Sequence, residues 1–262
     1  MTIEEWSKIC EDVSVKMIEH VKQYVTPISK VVSESDGEHL GTGSYIEFDD
    51  KKFVITNEHV AKHLNESSLT HKYWNNENII KFSNPFSTLS HPIDLAISKI
   101  DDRNWSNFKH ESNAIPFDRF AKSHDTAEHE LLFFAGYSGE IANFYFNFMN
   151  TPGTPYLTQE LPFPSNVAEA DPEFHFALHY SPEKATSIDG TSSLPDPHGF
   201  SGSLVWDTKV VACMKEGKSW SPALAEVTGI VWGWPSSSAC ILVTKVEHLK
   251  VKELSQLTCS KA

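Results

Sequence analysis

The chain opens with an amphipathic pattern and then changes to short alternating runs. Apolar residues recur at spacings of three and four near the N-terminus, at Ile3, Trp6, Cys10, Val13, Met17 and Val21. This is the periodicity of a helix with one apolar face. We expect that face to cover the protein's own body, with docking to a partner as the alternative. A second helix is predicted over 245–257, where apolar residues again recur at helical spacing.

Between these two helices, the pattern is typical of β-structure. Strands are predicted at 44–48, 53–56, 79–82, 95–100, 130–136, 143–148, 173–180, 203–206, 209–214, 227–232 and 239–244, and a four-residue hairpin loop is predicted at 49–52. Many short strands separated by turns predict an all-β sandwich or barrel. The polar stretch 181–198 contains prolines and is predicted to be a long loop.

Charge and cysteine content restrict the possible partners and location of the protein, but say little about its fold. The 262 residues include 22 basic and 35 acidic side chains, a net charge of −13, which argues against nucleic acid or an anionic membrane as the main ligand. Glu4 and Glu5 follow Met1 directly, so no secretion signal is predicted. The four cysteines lie far apart without C-x-x-C spacing, which favours free thiols. We therefore expect a cytoplasmic protein.

Three short motifs contain the residue types of a catalytic triad. In chain order they are Thr56-Asn57-Glu58-His59-Val60, Asp94-Leu95-Ala96-Ile97 and Gly199-Phe200-Ser201-Gly202-Ser203. A serine hydroxyl is a weak nucleophile at neutral pH unless an imidazole takes its proton and a carboxylate orients that imidazole. His59, Asp94 and Ser201 supply these groups, although each alone could be an ordinary structural or turn residue.

Together with Gly41-Thr42-Gly43-Ser44 and Gly229-Ile230-Val231-Trp232-Gly233, these motifs resemble those of the trypsin-like, chymotrypsin-fold serine proteases. The resemblance covers about residues 38–250 and is closest to the bacterial HtrA-type and glutamyl-endopeptidase-type branch, here without the PDZ domain that HtrA proteins usually append. It implies an all-β fold of two six-stranded antiparallel β-barrels with an extra N-terminal helix and a C-terminal helix. The expected divisions are 1–30 for the first helix, 31–125 for the barrel carrying His59 and Asp94, and 126–262 for the barrel carrying Ser201 and the last helix.

The same resemblance implies that the backbone N–H groups of Gly199 and Ser201 form an oxyanion hole. Glycine at 199 and 202 would permit the positive φ angles of such a turn. An α/β-hydrolase is excluded, because Ser203 stands where the G-x-S-x-G motif requires glycine and the order of the triad differs. No cofactor or metal is predicted: His175 and His179 would lie about 13 Å apart along a strand, too far apart for one ion.

Five residues are predicted to bind substrate near the nucleophile: Pro195, Asp196, Trp232, Gly233 and Trp234. Pro195 stands where trypsin has an acidic residue, so a basic P1 side chain is not supported. Trp234 could narrow the S1 pocket toward small side chains. Simple barrel packing by Trp232 and Trp234 is the alternative.

The leading hypothesis is a serine endopeptidase acting on a protein or peptide substrate. A protease in the cytoplasm would need narrow specificity or gating. We therefore expect an activating protein partner acting on loop 181–198, for example in a bacterial stress or phage-defence system, although that loop could also be a passive insertion. The alternative is a catalytically silent module of the same fold that binds a peptide along strand 227–232.

Overall fold

The computed structural model describes residues 1–33, 36–65, 68–145, 148–151, 153–165, 167, 169–180, 195–235 and 239–260. Most of the predicted loop 181–198 therefore lies outside the described residues. The helices are α1 (Ile3–Val21), α2 (Glu58–Ala61), α3 (Asp102–Asn107), α4 (Val210–Lys215) and α5 (Val251–Ser260).

The first sheet takes its strands from the N-terminal half. These are β1 (Val25–Ser33), β2 (Asp36–Phe48), β3 (Lys51–Thr56), β4 (Leu69–Lys72), β5 (Ile79–Lys81), β6 (Phe86–Leu89), β7 (Leu95–Lys99) and β8 (Ile115–Pro116). The order is β5-β4-β1-β2-β3-β7-β6, with β8 added in parallel to β2. All other pairs in this sheet are antiparallel.

The second sheet is antiparallel and has the order β12-β9-β15-β16-β17-β14-β13. Its strands are β9 (Leu132–Tyr137), β12 (Gly153–Thr158), β13 (Glu160–Leu161), β14 (His175–His179), β15 (Leu204–Asp207), β16 (Glu226–Gly233) and β17 (Cys240–Lys245). A separate hairpin joins β10 (Asn143–Tyr145) to β11 (Phe148–Asn150).

The two sheets form the two-barrel, chymotrypsin-like arrangement, and the all-β fold class predicted from the sequence is confirmed. The described residues place eight strands in the first sheet and seven in the second, where six in each were expected. The largest hydrophobic cluster includes residues of both sheets, such as Phe53, Ile97, Phe133 and Ile230. A shared core fixes the position of one sheet relative to the other.

Both predicted terminal helices cover this shared core. Val13, Met17 and Val21 of α1 are buried in it, as expected, whereas Ile3 remains 87% exposed. A capping box of Thr2 and Glu5 starts α1. At the other end, Leu254 of α5 is buried in the same cluster, and α5 contacts β6 and β7 of the first sheet. The sequence division at 125/126 stays a prediction.

Three local predictions were wrong. The stretch 143–148 was expected to be one strand but contributes to two, because β10 pairs back on β11 in an antiparallel hairpin. Residues 209–214 were expected to be a strand but form α4, because the buried Glu130 carboxylate accepts the N–H groups of Val211 and Ala212 at 2.8 and 2.9 Å. This contact caps the helix N-terminus from outside and outweighs the strand preference of two valines. The hairpin between β2 and β3 has two loop residues, Asp49 and Asp50, both with positive φ, rather than four.

Acid should destabilise this fold through His71 on β4. The ring is buried and hydrogen-bonded to the Tyr45 hydroxyl at 2.8 Å, and desolvation lowers the pKa of His71 from 6.5 to about 3. Between these values the unfolded chain binds a proton that the folded chain does not. Stability is therefore fully present above pH 6.5 and is lost as the pH falls toward 3.

We expect the free energy of unfolding to fall by roughly 2 kcal/mol or more between pH 7 and 4.5 through this group. His71→Asn keeps an acceptor for Tyr45 but does not titrate, so its stability curve should be less steep in that window. Urea denaturation at several pH values measures the slope. His129→Asn, which changes a side chain that is 82% exposed, is the matched control and should leave the slope unaltered. An equal slope in His71→Asn and the unmodified protein would contradict this account.

Candidate active site

Strand pairing brings His59 and Asp94 to the same end of the first sheet. Thr56, the last residue of β3, pairs with Ala96 of the antiparallel β7. His59 follows Thr56 by three residues in α2, and Asp94 precedes Ala96 by two, so both residues lie just beyond the last pair. The first barrel therefore supplies both residues.

The Asp94 carboxylate holds His59 at two points. One oxygen, Oδ1, accepts the His59 backbone N–H at 2.9 Å, and Oδ2 lies 2.5 Å from the ring Nδ1. The Asp94 side chain is 10% exposed, whereas that of His59 is 38% exposed. A carboxylate on Nδ1 places the ring proton there, which leaves Nε2 as the nitrogen able to accept a proton. This is the orientation that a general base requires.

Ser201 lies in a tight turn of the second barrel, just before β15. Gly199 and Gly202 have φ angles of +102° and +92°, in agreement with the sequence expectation of positive φ. A Cβ atom at Gly202 would lie 1.9 Å from the Thr42 carbonyl oxygen, so no other residue fits there. The buried Phe200 anchors the turn in the second hydrophobic cluster and leaves Ser201 half-buried.

Thr42 of β2 joins this turn to the first barrel. Its N–H donates to the Ser201 carbonyl at 2.8 Å, and its hydroxyl donates to the Gly199 carbonyl at 2.7 Å. The same hydroxyl accepts the Tyr137 N–H at 2.9 Å, and the Thr42 carbonyl accepts the Thr56 hydroxyl at 2.7 Å. Thr42 is completely buried, so these bonds form without competition from water.

The turn contains backbone N–H groups that are paired and others that are not paired within the described residues. The N–H groups of Phe200, Gly202 and Ser203 donate to the carbonyls of Pro197, Val231 and Phe200, respectively. Within the described part of the chain, the N–H groups of Gly199 and Ser201 have no acceptor. The Gly139 N–H holds the preceding carbonyl, that of His198, at 2.9 Å, which fixes the orientation of the Gly199 N–H.

The Ser201 turn and the segment that contains His59 meet at Gly41. A Cβ atom added there would lie 2.7 Å from a Val60 methyl group and 3.1 Å from the Ser201 carbonyl oxygen. The residue after His59 and the backbone of Ser201 therefore approach the same point. Among the described residues, no hydrogen bond joins the Ser201 hydroxyl to the His59 ring. Catalytic hydrogen bonds are often long before substrate binds.

A neutral histidine lies behind the turn. His39 of β2 donates from Nε2 to the Tyr137 carbonyl at 2.9 Å, and a Cβ atom on Gly199 would lie 2.6 Å from that nitrogen. Burial lowers the pKa of His39 to about 4, although the Tyr137 and Gly199 carbonyls oppose the shift. The ring therefore carries no charge at neutral pH.

Pro195 and Asp196 lie on the approach to the turn. The Pro195 carbonyl accepts the Tyr180 hydroxyl at 2.7 Å. The Asp196 carboxylate accepts the N–H of His198 at 2.9 Å and is paired with the Nδ1 of that ring. The Asp196 backbone N–H donates to the Glu140 carboxylate at 2.7 Å. The Asp196 carboxylate is therefore already engaged by a neighbouring side chain.

Trp232 and Trp234 lie on opposite faces of the second sheet. Trp232 packs with Ala177, Cys240 and Leu242, whereas Trp234 packs against the cluster that contains Phe200. Trp234 also meets the His198 ring edge-to-face, with centroids 5.6 Å apart. A register shift in the pairing of β16 with β17, between Val231 and Gly233, accompanies this separation. Of the two indoles, Trp234 borders the Ser201 turn.

Sequence reasoning missed the roles of Thr42 and Asn57, although both lie inside motifs that it used. Asn57 is buried and donates from Nδ2 to the Asp94 carbonyl at 2.7 Å. The available signal was a polar side chain placed beside strand residues expected to be buried. In the described part of the chain, no group of three or more His, Cys, Asp or Glu side chains could hold a metal. No helix there is long and apolar enough to cross a membrane.

Comparison with known proteins adds two solved structures. The chain is similar to the catalytically active tobacco etch virus protease complexed with product, with 11% identity, 91% of this chain and 80% of that chain covered, and a TM-score of 0.47. It is also similar to a structure described as "Aromatic interactions drive the coupled folding and binding of the intrinsically disordered Sesbania mosaic virus VPg protein", with 10% identity, coverage of 87% and 90%, and a TM-score of 0.45. No family model and no curated protein matches the sequence. The function must therefore be argued from the site itself.

The Thr42 hydroxyl should be important for stability. Thr42→Val has nearly the same shape but leaves the buried Gly199 carbonyl and Tyr137 N–H without this partner, which should cost about 3 kcal/mol of unfolding free energy. Thr42→Ser keeps the oxygen and should cost less. Thr88→Val on β6, where the threonine is exposed, is the control. Chemical denaturation measures all three, and equal effects of the two valine substitutions would contradict the assignment.

Proposed function

We propose that the chain is a serine endopeptidase of the trypsin-like type, with His59, Asp94 and Ser201 as its triad. The observation that carries this proposal is the two-point contact of the Asp94 carboxylate with His59, at 2.9 and 2.5 Å, at the end of the first barrel that meets the Ser201 turn. The N–H groups of Gly199 and Ser201, which have no acceptor among the described residues, support it, since they would serve as an oxyanion hole.

In this mechanism the Ser201 Oγ attacks the peptide carbonyl while its proton passes to His59 Nε2. The negative charge that develops on the carbonyl oxygen is stabilised by the two backbone N–H groups, and Asp94 stabilises the positively charged imidazole. Cleavage of the C–N bond transfers that proton to the leaving amine. Water, deprotonated by His59, then releases the acid product from the Ser201 ester and restores the hydroxyl.

The motif forms support a relation to the bacterial HtrA-type and glutamyl-endopeptidase-type branch. The cysteines lack the spacing of a disulfide framework, which supports a location in the reducing cytoplasm. Such a protease requires control. We propose that an activating protein partner acts on loop 181–198, whose last residues are fastened to the body through Tyr180, Ser138 and Glu140. An effector in bacterial stress or phage defence would have these properties.

The alternative function is a catalytically silent peptide-binding module. It is favoured by the absence, among the described residues, of a hydrogen bond between Ser201 and His59. The prediction that a peptide adds along 227–232 was wrong for most of that strand, because β16 already pairs with both β15 and β17. In addition, the Val231 N–H donates to the Ser203 carbonyl, and the Val231 carbonyl accepts the Gly202 N–H. Among the described residues of this segment, the backbone of 232–235 would be open to a peptide on the edge that β15 leaves uncovered.

A fluorophosphonate probe distinguishes the two functions. We expect it to label Ser201, and Ser201→Ala and His59→Ala should abolish both labelling and peptide hydrolysis while the fold remains intact. Asp94→Asn should lower kcat on the order of 10⁴-fold, because it favours the wrong tautomer of His59. Intact-mass spectrometry and casein cleavage measure these effects.

Ser203→Ala is the matched control, because the Ser203 hydroxyl is completely buried and has no partner among the described residues. It should label like the unmodified protein. Labelling that is slow in the purified protein and faster in cell extract would support gating. If no labelling occurs under either condition, the silent module is the correct function.

Substrate preference should follow the contacts of Asp196 and Trp234. An arginine at P1 should be poor, because the Asp196 carboxylate is engaged by His198 and a buried cation without a partner is costly. If Trp234 closes the S1 pocket, small P1 residues are preferred, and Trp234→Gly should admit Phe and Leu. A peptide library measures the profile. Trp220→Phe is the control, since the Trp220 indole donates to the Thr208 carbonyl and packs against the core shared by the two sheets, not against the cluster that contains Phe200. A dominant P1 arginine or phenylalanine in the unmodified protein would refute this assignment.

A further inference from the structure

Asn57 stands at the N-cap of α2 but does not cap it. Asparagine is favoured at this position because its side chain usually accepts a backbone N–H from the first turn. Here the side chain makes no capping hydrogen bond, although the Asn57 backbone has the extended conformation of an N-cap residue. The side chain is completely buried and turns toward β7 instead. Its hydrogen-bonding capacity is therefore used outside its own helix.

The partner of Asn57 is the backbone of Asp94. Asp94 has a φ angle of +51°, in the left-handed region that few residues other than glycine adopt. Its N–H makes only a long hydrogen bond of 3.3 Å to Ser90. By contrast, its carbonyl accepts the Asn57 amide at 2.7 Å. Of the two hydrogen bonds made by the Asp94 backbone within the described residues, the one from the Asn57 side chain is therefore the shorter.

Asn57 and His59 together hold both ends of Asp94. Asn57 contacts the carbonyl, and His59 contacts both carboxylate oxygens through its backbone N–H and its ring. The two residues are separated only by Glu58, so one short segment fixes the aspartate backbone and receives its carboxylate. A shift of the Asp94 backbone would move the carboxylate relative to the imidazole.

We propose that Asn57 is a positioning residue that sets the geometry of the His59–Asp94 pair by holding Asp94 in its left-handed conformation. Its effect on catalysis rests on the proposed protease function, whereas its effect on the pair does not. The other amide atom, Oδ1, is buried and has no partner among the described residues. The amide is thus only half satisfied, and its single side-chain bond is the one to Asp94.

A role in general core stability would look different from a positioning role. Asn84 offers the comparison, because its side chain likewise donates from Nδ2 to a backbone carbonyl. The acceptor is Lys99 of β7, at 2.8 Å. Lys99 is at the far end of β7 from Asp94. Removing the Asn84 amide should therefore affect stability without moving Asp94.

The first test uses proton NMR on the Ser201→Ala protein, so that it does not depend on protease activity. The proton between His59 Nδ1 and Asp94 should give a low-field resonance. The His59→Ala variant should lack this resonance, which assigns it to the pair. Asn57→Ala and Asn57→Leu should shift or broaden this resonance, while Asn84→Ala should leave it in place. Asn57→Leu fills nearly the same volume, so the test survives if the alanine variant does not fold. An unchanged resonance in either folded Asn57 variant would overturn the proposal.

The second test measures fluorophosphonate labelling of the protein with Ser201 intact. The Asn57 variants should lower the maximal labelling rate on the order of 10²-fold, the loss expected for a small misplacement of a catalytic group, with little change in the concentration for half-maximal rate. Asn84→Ala should label normally. Maximal labelling that is normal in a folded Asn57 variant would refute the positioning role in catalysis. If the unmodified protein is never labelled, the protease function fails, and the NMR result still decides whether Asn57 positions the pair.

Discussion

The candidate site depends on the hydrogen bonds of one buried threonine between the two barrels. Thr42 contacts the carbonyls of Gly199 and Ser201 on one side and the hydroxyl of Thr56 on the other. Thr56 lies three residues before His59, so the side chain and peptide groups of Thr42 connect the Ser201 turn with the segment that contains His59. A buried polar group without partners is costly, and every one of these bonds favours the same arrangement of the two sheets.

Close approach at this junction determines which residues the turn can contain. Thr42 and Gly202 are so near that only a residue without a side chain fits, and the positive φ of Gly202 independently favours glycine. The turn cannot relax away, because Phe200 is anchored in the second core and Val231 bonds Gly202 and Ser203. Packing in the second barrel thus presents the Ser201 turn to residues of the first.

Polar groups around the site differ in how they are kept from water. The Asp94 carboxylate is largely buried and both of its oxygens contact His59, while His39 behind the turn is partly buried and uncharged at neutral pH. A charge is retained only where hydrogen bonds replace water. The site therefore combines one largely buried carboxylate, which is hydrogen-bonded to a half-exposed imidazole, with the backbone of the Ser201 turn.

The sequence by itself determined the fold class, both terminal helices, most of the strands and the three residues offered as a triad, because periodicity and short motifs are local properties. It did not determine α4, where Glu130, more than 80 residues away along the chain, accepts two N–H groups at the start of the helix. Nor did it separate Trp232 from Trp234, whose faces depend on a register shift between β16 and β17. The roles of Thr42 and Asn57 were equally hidden, since their partners lie 157 and 37 residues away along the chain. Only tertiary structure decides such contacts, because a buried hydrogen bond is specified by which distant groups meet without water, and no local pattern records that.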